Sequence, residues 1–116
     1  SRVMLAFKDA VAERDLVSIL VFDEIDAGIS GHIAAAVGRK MQALSASHQT
    51  IAITHLPQIA SIADQHFSVR KRQIKKRTVT EVLALNEKDR TEEIAYLLAG
   101  DTISDTARRH AREMLQ

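Results

Sequence analysis

Residues 19–22, Ile-Leu-Val-Phe, are four consecutive apolar positions followed without a spacer by Asp23 and Glu24. A run this short and this rich in strand formers does not fill an ordinary helix, so it reads as a strand buried on both faces. Residues 50–54 form a second apolar run that ends at His55. Between the two lies a helix-length stretch, about residues 31–47, with Ile33, Val37, Met41 and Leu44 spaced along one helical face. A strand, a helix and a second strand of these lengths make a βαβ unit, whose crossover is nearly always right-handed and whose strands run parallel. Both strands then end at one edge. The acids and the imidazole are expected to meet there, where open α/β sheets bind their ligands.

The order of those groups carries chemistry. On a pleated strand neighbouring side chains point to opposite sides, so Asp23 and Glu24 can serve different atoms of one ligand. This is the layout of a Walker B strand. Asp23 is placed to hold a hydrated magnesium ion, a hard cation that usually reaches protein through only one or two carboxylates. Glu24 can orient and polarise the water that attacks a terminal phosphate. Neutral His55 can accept a proton or donate to a phosphate oxygen. The plainer alternative is a buried strand ending on solvated acids, with a histidine that only satisfies local hydrogen bonds. His32, His48, His66 and His110 show no comparable convergence and read as surface or packing residues.

Composition fits one globular unit. Of 116 residues, 46% are hydrophobic and 27% charged, whereas only 3% are aromatic, so the core must be aliphatic. With no cysteine there is neither a disulfide framework nor a thiolate metal site, which fits a reducing compartment. No apolar run approaches the roughly 18 residues of a membrane span, and no secretory leader opens the chain. A cytoplasmic protein with no membrane partner is the expectation.

Before the first strand, residues 1–12 carry Val3, Met4, Phe7, Ala10 and Val11 at helical spacing, and Glu13, Arg14 and Asp15 make a polar break. A helix that opens without a cap segment reads as part of something longer. After the acids, Gly28 suits a positive φ angle and Ser30 can cap the following helix. Pro57 is suited to the first turn of a short helix reaching about Ala63, with Ile59 and Ile62 packed. Phe67 and Val69, paired with the β-branched stretch at residues 78–83, predict a β-hairpin without an Asn-Gly turn signal. Its charged tip is the basic run at residues 70–77, including Arg72, Lys75, Lys76 and Arg77. Such a run either discourages edge-to-edge pairing as a solvated end or contacts nucleic-acid phosphates. No aromatic residue interleaves with it, so base stacking is not supported. Residues 91–99 predict a helix with Ile94, Leu97 and Leu98 inward, stopped by Gly100. Thr102 and Asp105 match a capping box for a final helix striped by Ile103, Ala107, Ala111, Met114 and Leu115.

Taken together, Ile-Leu-Val-Phe-Asp-Glu-Ile-Asp-Ala-Gly-Ile-Ser-Gly and Ile-Thr-His-Leu-Pro-Gln-Ile-Ala resemble the Walker B, D-loop and switch-histidine segments of ABC-type ATPases. More closely, they resemble the RecN family of bacterial double-strand-break repair ATPases, which are related to the structural-maintenance-of-chromosomes (SMC) proteins. The likeness continues through Thr-Glu-Glu-Ile-Ala-Tyr-Leu-Leu-Ala-Gly, from Thr91, to the last helix, so it covers essentially the whole chain. It implies that Asp23 coordinates magnesium, Glu24 primes the hydrolytic water and His55 contacts the γ-phosphate of ATP. It also implies that Asp26, Ala27 and Gly28 form the D-loop between two ATPase heads, and that Ser1 and Arg2 end the signature segment.

Two elements of that pattern are missing: the Ser-Gly-Gly core of the signature segment, expected just upstream of Ser1, and the phosphate-binding loop. No G-x-x-x-x-G-K-[ST] loop occurs, so the amides and lysine that cradle β and γ phosphates are lacking. The expectation is an α/β C-terminal lobe of a P-loop ATPase head, residues 1–116, with parallel strands joined by a crossover helix, a β-hairpin and C-terminal helices. Its partners would be the N-terminal lobe of its own head, a second head and DNA, and alone it would not turn over ATP. The alternatives are another SMC-like DNA-associated ATPase, or a non-catalytic DNA-binding or dimerisation module.

Overall fold

The computed structural model describes residues 17–25 and 27–116. The helix expected at residues 1–12 lies outside them. The chain divides into two compact units, Ser1–Ile62 and Ala63–Gln116.

In the first unit, strand β1 (Ile19–Asp23) is followed by helix α1 (Gly31–Leu44), strand β2 (Gln49–Ile53) and the single-turn helix α2 (Pro57–Ala60). The strands pair in parallel, with Leu20 opposite Thr50, Phe22 opposite Ala52 and Asp23 opposite Ile53. This is the βαβ unit that the two apolar runs imply. Leu20, Phe22 and Ile25 pack with Ala34, Val37, Met41, Leu44 and Ile59 into one buried aliphatic cluster. Leu44, 2% exposed, alone contributes about 1.5–3 kcal/mol through removal from water.

The expectation that β1 is buried on both faces is corrected. Only alternate residues are covered, while Val21 and Ile53 on the other face are 62% and 57% exposed. Helix α1 ends at Leu44 rather than Ser47, and Ile33 faces solvent while Ala34 and Gly38 take the buried stripe. Gly38 is needed where α1 meets the α2 segment, since a Cβ there would lie 2.6 Å from Cδ1 of Ile62 and 3.3 Å from the Gln58 carbonyl oxygen. Pro57 opens α2 as expected, but that helix stops at Ala60.

The second unit is a hairpin and a helix pair. Strands β3 (Phe67–Ile74) and β4 (Arg77–Ala84) are antiparallel, and helices α3 (Glu87–Ala99) and α4 (Asp105–Met114) follow. The basic run is not confined to a tip. Residues 70–74 lie in β3 and Arg77 opens β4, so only Lys75 and Lys76 make the turn, with φ angles of 44° and 65°. Positive φ at both central residues is the signature of a type I′ turn, whose twist matches the flanking strands. Helix α3 begins a turn earlier than its apolar stripe, because the Asn86 side chain accepts a 2.8 Å hydrogen bond from the Asp89 amide. Gly100 ends it with a φ of 74°, as anticipated. The cap of α4 is Ser104, accepting from the Ala107 amide at 3.1 Å, and not Thr102.

Ile94 and Ala95 of α3 and Ala111 of α4 are fully buried, and the two alanines let the helices approach closely. Adjacent acids on α3 tie its neighbours down. Glu93 receives Arg70 of β3 at 2.9 Å, and Glu92 receives Arg108 of α4 at 2.9 Å.

Candidate functional site

Parallel pairing settles where the acids and the imidazole go. Asp23 is the last residue of β1 and stands opposite Ile53, the last of β2. Glu24 and His55 therefore leave the sheet at the same edge. Asp23 shares the open side with Val21 and Ile53, and all three polar groups are exposed.

Glu24 is not on the strand, which corrects the expectation that the pleat sends the two acids to opposite sides. Its backbone is left-handed, with a φ of 55°, a conformation unusual for a residue with a Cβ. Two features hold it there. Its carbonyl accepts from the Ala27 amide at 3.2 Å, and the next side chain, Ile25, is plugged into the core at 1% exposure. Strain of this kind, about 1–3 kcal/mol, clusters at functional sites. Gly28 has the expected positive φ of 70°. Asp26, Ser1 and Arg2 lie outside the described residues.

The loop bearing His55 is fixed by its neighbours. The Leu56 amide donates to Thr54 Oγ1 at 3.0 Å, closing a turn across His55, and buried Pro57 starts α2 directly afterwards. Thr54 is a positioning residue that the reading of the sequence passed over. Its signal was there: a hydroxyl residue two positions before a free amide favours this turn. Ser30 occupies the cap position of α1, yet its side chain makes no capping hydrogen bond.

No group of three or more acids, histidines or cysteines gathers around a point among the described residues. The donors at this edge nevertheless fit magnesium, which is commonly held by one or two carboxylates together with phosphate and water. They do not by themselves fit a triphosphate, because no phosphate-cradling loop exists in the sequence.

In the second unit, Lys71, Lys75, Lys76 and Arg77 are exposed, whereas Arg72 is drawn to Glu81 at 3.4 Å. His66, half-buried before β3, has its pKa held below the ordinary 6.5 by desolvation and then by the Arg90 charge, with Glu93 opposing. Its Nδ1 is buried without a hydrogen-bond partner. Among the described residues, no helix is long and apolar enough to cross a membrane.

No family profile matches the chain. Curated relatives do. The chain is 46% identical over all its 116 residues to DNA repair protein RecN of Treponema pallidum, covering 20% of that protein. It is 44% identical over 115 residues, 99% of its length, to RecN of Rickettsia conorii, covering 21% of it, and 40% identical over 116 residues to RecN of Bacillus subtilis, covering 20%. A solved structure from work on ATP-driven dimerization and DNA-stimulated activation of SMC ATPases superposes with a TM-score of 0.68 at 22% identity. That match covers 85% of the chain and 59% of the solved one, and shows that the two share a fold over that portion. The chain spans about a fifth of the length of the curated relatives it matches. Along essentially every residue, then, the chain is similar to one portion of the RecN proteins, about a fifth of their length.

Proposed function

We propose that the chain is the C-terminal lobe of an ATPase head that acts in the repair of DNA double-strand breaks, hydrolysing ATP at a composite site between two heads. The observation that carries this reading is the register of Asp23 against Ile53, which sends both acids and His55 to one edge. The shared description of the relatives as DNA repair proteins supports the biological role. Dimerization and DNA stimulation, named for the SMC structure, support two heads and DNA as partners.

In this mechanism Asp23 holds magnesium, which when bound neutralises charge on the phosphate oxygens. Glu24, turned out of the strand, orients the attacking water and takes its proton. His55 donates to the γ-phosphate as charge builds on it. Asp26 and Gly28, with Ser1 and Arg2, contribute to nucleotide contact across the two heads. The lysines of the hairpin turn, with Arg72 and Arg77, contact DNA phosphates without reading sequence. The protein works in the bacterial cytoplasm on the nucleoid. Lacking a phosphate-binding loop, the chain alone neither binds ATP tightly nor turns it over.

The test is Glu24→Gln in the full-length protein. Turnover falls by about 10²–10⁴-fold, the usual contribution of a positioned base, while ATP binding persists. Unchanged turnover would leave a non-catalytic binding module as the better description.

A further inference from the structure

Gln58 follows the loop that carries His55, and its side chain reaches the first residue of α1. A Cβ built on Gly31 would lie 2.9 Å from Nε2 of Gln58 and 3.5 Å from its Cδ, so a larger residue there would push the carboxamide aside. The main chain of Gln58 also packs a heptad further on, where its carbonyl oxygen would lie 3.3 Å from a Cβ on Gly38. Gln58 thereby links the chain just after His55 to the start of α1, the helix that follows Glu24 in sequence.

Filling space does not account for it. Oε1 of Gln58 is buried and has no hydrogen-bond donor, a penalty that methionine would avoid at nearly the same volume. The neighbouring helix start offers matching donors. The first amides of an α-helix have no intrahelical acceptor, the Ser30 side chain caps none of them, and no acidic residue stands in the first turn. Rotation about the last side-chain torsion of Gln58 exchanges its nitrogen for its oxygen at that helix end, joining an idle acceptor to idle donors.

Resting on the ATPase reading above, we propose that Gln58 is a positioning residue. Its carboxamide docks on the start of α1 and locks the His55 loop to the loop of Glu24, so that the two reach the phosphate in register. It touches neither nucleotide nor water itself.

The test uses the full-length protein and four variants. Gln58→Met keeps the volume and removes the amide: kcat falls about tenfold, KM for ATP is unchanged and Tm does not fall. Gln58→Glu keeps an acceptor favoured by the helix dipole and recovers most of that loss. Gly31→Ala pushes the amide away and lowers kcat as Gln58→Met does. Wild-type kcat in Gln58→Met, or a loss of kcat accompanied by a matching loss of Tm, overturns the proposal. Glu24→Gln is the control. If it abolishes turnover while Gln58→Met changes nothing, only this proposal fails; if Glu24→Gln leaves turnover intact, the ATPase reading fails and takes this one with it.

Discussion

The turn at Lys75 and Lys76 sets local stability against charge, and the two can be separated. Each ordinary residue held left-handed costs about 1–2 kcal/mol. Here two adjacent lysines are so held, at φ 44° and 65°. Replacing Lys75-Lys76 with Asn-Gly removes the cost at the second position and part of it at the first. Against this stands about 0.5–1 kcal/mol for the greater freedom of glycine in the unfolded chain. The net gain is about 1–2 kcal/mol, which slows opening-limited amide exchange in β3 and β4 next to the turn by a factor of about 5–30. Hydrogen exchange in the intact protein, read by mass spectrometry on peptides spanning residues 67–84, measures it. The same substitution removes two cations, so if both touch phosphates the logarithmic salt slope of DNA binding drops by about 2. Exchange that is unchanged or faster would refute the strained-turn argument. A tightened hairpin with an unaltered salt slope would sustain that argument and remove these lysines from the DNA surface.

Two other substitutions probe groups whose conformation or burial is costly. Glu24→Gly relieves the left-handed backbone at φ 55° and raises unfolding stability by about 1 kcal/mol while abolishing ATP turnover, as chemical denaturation and a phosphate-release assay on the full-length protein would register. For His66, the depressed pKa means that the unfolded chain takes up the proton first. The stability it contributes is complete above its ordinary pKa of 6.5 and is lost as pH falls through the lower folded value, so His66→Gln has a shallower acid limb than wild type in denaturation at stepped pH.

What the sequence disclosed and what it hid follow from range. The βαβ unit was legible because two short apolar runs flank a helix-length amphipathic stretch, and parallel pairing then fixed the common edge of Asp23 and His55. Gly28 and Gly100 were legible because a positive φ is a local demand that glycine answers. Glu24 was not, because its left-handed turn is imposed by the burial of Ile25, a tertiary event that no backbone preference of glutamate announces. Likewise the turn at Lys75 and Lys76 carries no favourable residue and is set by the pairing of Ile74 with Arg77. Caps misled by a residue or two. Thr102 and Ser104 are both acceptable, and only the observed hydrogen bond to the Ala107 amide chooses between them. Gln58 and Thr54 were not legible because their contacts, a carboxamide against Gly31 and a hydroxyl accepting from the Leu56 amide, leave no periodic pattern in the sequence.

The open side of the β1–β2 pair ties folding to chemistry. Alternation along β1 puts Asp23 on the same side as Ile19 and Val21, and register puts it level with Ile53. Parallel sheets are ordinarily covered on both faces, and among the described residues this pair packs against α1 on one face only. A segment that covers Val21 and Ile53 therefore comes to rest beside Asp23. The hydrophobic gain from closing that face, about 25 cal/mol for each Å² removed from water, is realised next to the edge that carries Asp23, Glu24 and His55. An exposed acid beside exposed valine and isoleucine would be a liability on a finished surface. On the ATPase reading proposed above, it places the driving force for assembly within reach of the acids, so that covering the apolar face and completing the site are one step.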